Sequence, residues 1–285
     1  MAGAGINKAS IPVLVVLYRR VKQARLLLDA LKEHKPPVVY IYADAPASEA
    51  ERPYCTEVRT MFEEINWTPH VKYFYRDAHS GGSTTAMPEA ISWFFSQEKE
   101  GIILEDDCLP GETFFNFCNE YIDKVDPASG IFQLSGTNLL GETTDATRRT
   151  SFVIPPWGWA TKREAWAHFD PDFFTWRKHR SLISGRTRHP EFWLGLYEKN
   201  ESTHVSWDLQ WMLSVWINGG YSLIPSHNLI KNTGFDKYAT LTGNALNPAG
   251  LVPVFSSYKA GIESGKNENS ENRLEQKVKQ FIEQL

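Results

Sequence analysis

The chain has 285 residues, 42% hydrophobic and 22% charged, with a formal net charge of −4. That length accommodates one large α/β domain or two small ones, and the composition is that of a globular protein rather than a disordered one. Without a global basic field, nucleic acid is excluded as a partner; an anionic ligand has to meet its cations locally, from a metal or a few arginines.

Met1 to Ser10 is small and polar, unlike the basic-then-apolar start of a signal peptide. Ile11 to Tyr18 reads as a buried strand, and its apolar run Ile11 to Leu17 is too short to span a bilayer. A helix is expected from Val21 to His34, where apolar residues recur at helical spacing. Val38 to Tyr42 is a second strand, closed by Ala43-Asp44-Ala45-Pro46. Ser48 to Ile65 reads as a helix in which Pro53 demands a break or an N-terminal position. Val71 to Tyr75 is a third strand, Ser80-Gly81-Gly82-Ser83 a loop, and Thr84 to Gln97 a helix. Gly101 to Leu104 is a fourth strand, Glu112 to Val125 a helix, and Ile131 to Leu134 a fifth strand.

Beyond Asn138 the pattern loosens. Gly141 to Thr150 is polar and loop-like, Phe152 to Ile154 is strand-like, and Pro155-Pro156-Trp157-Gly158-Trp159 turns sharply. Helices are expected over Lys162 to Phe169 and Asp208 to Asn218, and a last strand over Tyr221 to Ile224. Asn232 to Gly243 reads as a polar loop, and Gly261 to Asn272 as a charged linker. Arg273 to Leu285 has the spacing of a terminal helix. These shifts divide the chain into a nucleotide-sugar-binding half (1–138), an acceptor-binding half of the same domain (139–262), and a linker with a C-terminal helix (263–285).

The three cysteines, Cys55, Cys108 and Cys118, are an odd, sparse set with no CxxC spacing. They argue against a disulfide framework or a zinc site and for a reducing compartment. A cytoplasmic location is expected, with peripheral membrane contact left open. Eight of the ten tryptophans crowd between Trp157 and Trp216. They form either an aromatic core or a surface that stacks on sugar rings or bases.

Strand–helix alternation with near-continuous apolar strands is the signature of an α/β fold with a doubly wound, mostly parallel sheet. Such sheets bind ligands at the carboxyl ends of their strands. Tyr18-Arg19-Arg20, Asp44, Arg76-Asp77 and Glu105-Asp106-Asp107 all follow strands and should converge on one rim. Three adjacent acids there raise one another's pKa unless a cation compensates them, and Mg²⁺ or Mn²⁺ shared with substrate phosphates would do so. The alternative is capping of the next helix near Pro110-Gly111-Glu112.

Ile103-Leu104-Glu105-Asp106-Asp107, followed by Phe114-Phe115-Asn116-Phe117, resembles the Glu-Asp-Asp version of the DXD motif of GT-A glycosyltransferases. Among these it is most similar to the N-acetylglucosaminyltransferase that opens hybrid and complex N-glycan synthesis and to its bacterial relatives. Further blocks are similar in the same order: Pro12 to Arg20, Arg76 with Gly81-Gly82, Ser135 to Asn138, Trp157 to Ala160, Ser206-Trp207-Asp208, and Pro225 to Phe235. The resemblance implies a GT-A fold, a nucleotide-sugar donor, a glycan or glycoconjugate acceptor, and Mn²⁺ or Mg²⁺ as cofactor. It implies that Asp107 ligates the metal, that Asp106 and Glu105 meet the donor, and that Asp208 is the catalytic base. Asp208 also starts a helix pattern, so an N-cap role stays open; Trp207 beside it would raise its pKa and floor a sugar site with Trp157 and Trp159.

Tyr18, Arg19, Asp44 and Arg76 are the remaining candidates for donor contacts. Arginine forks suit phosphates, though Arg19 and Arg76 would equally serve structural ion pairs, and Asp44 a turn. His227 is either a late metal ligand or a polar loop residue. Ala239-Thr240-Leu241-Thr242 departs from the bacterial relatives, which carry a histidine in that stretch. The nearby glycines suggest a lid. Two other functions compete. A sugar nucleotidyltransferase shares the sheet and the acids but needs a glycine-rich loop after the first strand, where this chain has Tyr18-Arg19-Arg20-Val21. A non-catalytic carbohydrate-binding protein accounts for the tryptophans without the acids.

Overall fold

Val13 to Leu17 carries no polar side chain, so a strand built from it has to be covered on both faces. In the computed structural model, which describes residues 11–140, 146–153, 156–204, 206–234, 254, 258–263 and 268–283, that strand lies inside an eight-stranded sheet. β1 (Val13–Leu17) pairs in parallel with β2 (Val39–Ala43) on one side and β4 (Glu100–Glu105) on the other. β3 (Val71–Tyr75) adds in parallel outside β2. As the edge strand it is only half-buried, whereas every residue of β1 and β2 is buried.

Helices cover these strands through narrow apolar stripes. α1 (Val21–His34) buries Ala24, Leu27, Leu28 and Leu31, one face at the helical repeat. It ends where Lys35 takes a left-handed conformation and donates its N–H to the Leu31 carbonyl at 2.7 Å. α2 (Arg52–Glu63) is shorter than its apolar pattern, because Pro53 belongs in a first turn, where no N–H is needed. α3 (Ser83–Phe95) starts from Gly82, whose φ of +129° suits glycine.

The remaining elements are β5 (Cys108–Pro110), α4 (Phe114–Tyr121), β6 (Ile131–Ser135), β7 (Arg148–Thr150), β8 (Trp159–Lys162), α5 (Arg163–Trp166), α6 (Arg180–Arg186), α7 (Pro190–Thr203), α8 (Trp207–Ile217), β9 (Tyr221–Ile224), β10 (Ile230–Asn232) and α9 (Glu268–Ile282). The sheet order is β3-β2-β1-β4-β8-β6-β9-β7. β8 is antiparallel to both β4 and β6, β6 is parallel to β9, and β7 is antiparallel to β9. Six of the eight strands therefore share one direction. This is the α/β, mostly parallel sheet flanked by helices that the sequence pattern implies.

Several features differ from the sequence reading, among them α9, which begins at Glu268 inside the stretch Gly261 to Asn272 that reads as a linker. β8 inserts where a turn followed by a helix is expected. It is held by non-local pairing, such as Gly101 opposite Thr161, with the Thr161 hydroxyl donating to the Phe132 carbonyl at 2.6 Å. The strand expected at Phe152 to Ile154 forms earlier, as β7, inside the stretch that reads as loop. Phe152 and Val153 are buried without joining the sheet, and Ile154 lies outside the described residues. α6 and α7 form where no element is expected, with a continuous apolar face missing from either. A separate two-stranded sheet pairs β10 with β5, Asn232 opposite Cys108, and carries the late chain back over the acidic run. The expected lid around Ala239 to Thr242 lies outside the described residues. Among the described residues, no helix is long and apolar enough to cross a membrane.

Candidate functional site

The chain passes from β1 to β2 to β3 in one direction and then returns to place β4 on the other side of β1. That reversal opens a crevice at the carboxyl ends of β1 and β4. Val16 lies opposite Glu105 across the two strands, so Tyr18-Arg19-Arg20 and Glu105-Asp106-Asp107 emerge side by side.

Arg20 joins them. Its Nη1 donates to Asp106 Oδ1 at 3.0 Å and also to Asp107 Oδ2. The Tyr18 backbone N–H donates to Asp106 Oδ2 at 3.2 Å. The Cys108 thiol lies 3.5 Å from Asp107 Oδ1. From the far end of the chain, Thr233 clamps the motif's backbone, its N–H and hydroxyl both donating to the Asp107 carbonyl at 2.8 and 3.0 Å. Gly234 is pressed against the Asp107 carboxylate: a Cβ there would stand 2.1 Å from Oδ2, so only glycine fits.

One guanidinium does not balance three carboxylates. Burial, then the neighbouring Asp107 and Asp106, push the Glu105 carboxyl up to about 8, against the pull of Arg20. Asp106 is pushed up to about 6 by burial, with Arg20 opposing it and Asp107 adding to it. Burial works against the Arg20 charge, but Asp106, Asp107 and Glu105 outweigh it and hold the guanidinium firmly protonated.

Asp208 enters this field from the other half of the chain. It lies in the first turn of α8, where Ser206 takes the N-cap position. The Ser206 hydroxyl and the Leu209 N–H (3.0 Å) both donate to its Oδ1. Burial raises its pKa, and those two hydrogen bonds hold the rise back. Its charge in turn adds, as the last of the contributions, to the rise at Glu105, so the two carboxyls lie near one another. Both are half-buried, ringed by protein yet still reached from outside.

The other rim residues are tied to one another. The Tyr18 hydroxyl lies 3.1 Å from the Ala47 N–H and donates to Glu51, which also pairs with Arg19. The Tyr18 bond holds Glu51 below the usual carboxylate range. Asp44 accepts from Ala45 N (2.8 Å), Ser80 N (3.0 Å) and the Ser80 hydroxyl, with His79 at 3.2 Å and Arg76 at 3.6 Å. Arg76 also pairs with Glu89 and donates to the Ala78 carbonyl at 2.9 Å. Arg19 and Arg76 thus both make ion pairs with acids of their own half, while Arg20 alone reaches the acidic run.

The tryptophans are core. Trp159 is 1% exposed and Trp207 5%, and their rings lie 6.2 Å apart beside Trp166 and Trp211. Trp193 stacks on Phe152, and Trp216 meets both rings edge-on. Trp157 meets Phe281 of α9 edge-on at 5.0 Å. The stacking surface that composition allows is therefore replaced, for Trp159 and Trp207, by a buried aromatic wall behind Asp208. His227 is buried with its Nδ1 2.8 Å from the Ser226 hydroxyl. Ser135 to Asn138, Trp157 to Ala160 and the run into β10 meet at glycines: a Cβ on Gly136 or Gly158 would overlap Ile230.

Sequence reasoning places Arg20 on the rim, and Ser206, Thr233 and Gly234 inside resembling blocks, but assigns none of them a role. Adjacent residues leaving a strand point in different directions, and nothing local tells which of Arg19 and Arg20 turns toward β4. The donor set is all carboxylate oxygen with a surplus of negative charge, which suits a hard divalent cation. Among the described residues, no three His, Cys, Asp or Glu side chains converge as a closed metal cage. An ion held by one or two carboxylates and completed by a ligand's phosphates fits such a set.

Mouse xyloside xylosyltransferase 1, in its apo form, is structurally similar to this chain with a TM-score of 0.37 and 11% identity, over 72% of this chain and 81% of that one. No protein-family model matches the sequence, and no curated protein matches it.

Proposed function

We propose that the chain is a GT-A glycosyltransferase that moves a sugar from a nucleotide-diphospho-sugar, a UDP-sugar, to a hydroxyl of a glycan or glycoconjugate, with inversion. One arrangement supports this reading: the Glu105-Asp106-Asp107 run stands at the switch point of the sheet, bridged by Arg20, and Asp208, about 100 residues further on, is near enough to add to the rise at Glu105. Donor chemistry and acceptor chemistry need such opposed groups. Asp107 would hold Mn²⁺ or Mg²⁺, which when bound neutralises the diphosphate leaving group.

Asp208 takes the proton of the acceptor hydroxyl. Its burial raises its basicity, and the Ser206 hydroxyl and the Leu209 N–H, both donating to Oδ1, hold the carboxylate in place for that proton. Glu105 and Asp106 orient the donor sugar and ribose. Tyr18, Arg19, Asp44 and Arg76 line the nucleotide side, and Trp207 backs the acceptor side without stacking on it. The two shorter readings have less support. The run after β1 lacks the glycines of a nucleotidyltransferase, and the tryptophans that would make a carbohydrate-binding surface are mostly buried. The free, buried cysteines fit a reducing, cytoplasmic setting.

A thermal-shift screen of nucleotide-diphospho-sugars, with and without Mn²⁺, tests the reading, because a ligand of the native state raises the apparent melting temperature. One sugar nucleotide should stabilise the protein only with the metal, and Asp107→Ala should abolish that shift. An unchanged shift in Asp107→Ala would remove the metal site.

A further inference from the structure

Every carboxylate oxygen of Asp106 and Asp107 already has a partner inside the protein. Asp106 Oδ2 accepts from the Tyr18 N–H, and Asp107 Oδ1 faces the Cys108 thiol. Asp106 Oδ1 and Asp107 Oδ2 are both taken by one atom, Arg20 Nη1. These partners differ in freedom. The Tyr18 N–H is fixed to the end of β1, and Cys108 is wholly buried in β5. The Arg20 side chain is long, 15% exposed, and rooted at the N-cap of α1, so it alone can swing away without moving the sheet. Gly234 stands so close to Asp107 Oδ2 that a Cβ there would overlap it.

We propose that Arg20 is a displaceable counter-cation: it bridges Asp106 and Asp107 while no divalent ion is bound, and the ion must take those two oxygens from it. This rests on the metal-site reading above. Without any cation, three clustered acids would meet no positive charge in a partly desolvated site. With Arg20 in place the apo site is compensated, at the expense of affinity for the free ion. The exchange replaces one positive charge by two on the same oxygens. The released guanidinium stays tethered at the strand ends.

Calorimetric titration of Mn²⁺ alone into the full-length protein tests this. Arg20→Met should bind Mn²⁺ about tenfold more tightly than wild type, a coupling of ordinary size for two ligands of one site. Arg20→Lys, which keeps a charge without the fork, should fall between them. Arg25→Ala, which alters an exposed pair with Glu64, should match wild type. Equal or weaker binding by Arg20→Met, with binding still lost in Asp107→Ala, overturns the exchange and leaves the metal site standing. Binding by none of the proteins overturns the exchange, and the metal site is then decided by the thermal shift with the sugar nucleotide present. Should Arg20→Met fail to fold, the wild type still decides. Saturating Mg²⁺ should free the Arg20 guanidinium, seen by NMR as faster rotation and loss of its hydrogen-bonded resonances. Unchanged resonances overturn the exchange.

Discussion

Two buried or half-buried clusters of acid, one in each half of the chain, are stabilised in opposite ways. At the ends of β1 and β4, Glu105, Asp106 and Asp107 stand against a single guanidinium, and the pKa values of Glu105 and Asp106 rise. In the second half, the buried Glu275 of α9 meets neutral donors among the described residues. It accepts from the Thr187 hydroxyl, the N–H groups of Arg188 (3.0 Å) and His189 (3.2 Å), and Trp193 Nε1 (3.0 Å). Three of those donors lie just ahead of α7 and Trp193 lies inside it, near the helix start, where the positive end of the helix also favours a carboxylate. A carboxylate satisfied by fixed N–H groups is architecture. A carboxylate cluster left with surplus charge is poised for a ligand.

The largest effect should fall on chemistry. Asp208→Asn should lower sugar transfer by about 10³-fold, within the range for a lost general base, while donor binding by thermal shift stays intact. Unchanged turnover would take the catalytic role from Asp208 and leave the first cluster without its counterpart.

Next comes the architectural acid. Glu275→Ala strands the indole N–H of Trp193 and the Arg188 N–H, while the His189 N–H keeps the Thr187 hydroxyl at 2.9 Å, and should cost about 3 kcal/mol in urea unfolding. Glu275→Gln should recover part of this. If Glu275→Ala instead changes donor affinity and not stability, the contrast between the two acids collapses.

A smaller change is expected at the aromatic wall. Trp207→Phe should destabilise by about 1–2 kcal/mol, as a reduced core side chain does, with little effect on the affinity for donor. A large loss of ligand affinity at unchanged stability would restore a stacking role.

The smallest is a pH effect. A carboxyl whose folded pKa lies above its unfolded value binds more protons in the native state, so stability is present at low pH and lost as pH rises between the two values. For Glu105 that window runs from the ordinary glutamate range to about 8. The metal-free protein should melt a few degrees lower at pH 8.5 than at pH 6, and Glu105→Gln should flatten the slope. An unaltered slope in Glu105→Gln would place the titrating group elsewhere.

Much of the first half was legible because its signals are local. β1 and β2 are apolar throughout, α1 repeats its leucines at helical spacing, and a strand followed at once by three acids marks a rim. α1 and β3 form at their expected limits. The second half was not legible for a physical reason. β8 is four residues long and owes its strand form to β4 and β6 on either side, and β10 exists because β5 pairs with it. Short strands of that kind carry no periodicity of their own.

By itself, then, the sequence determined the parallel strand–helix layers, the mostly parallel α/β class and the place of Glu105-Asp106-Asp107 at a strand end. Only the tertiary structure decided that Arg20, and not Arg19, faces the acidic run, that the tryptophans Trp159 and Trp207 turn inward, and that Asp208 comes near Glu105. Periodicity and strand ends are properties of a few consecutive residues. The meeting of Tyr18, Asp106, Asp208 and Gly234 depends on the crossing of strands whose residues are far apart in the chain, and only packing sets those crossings.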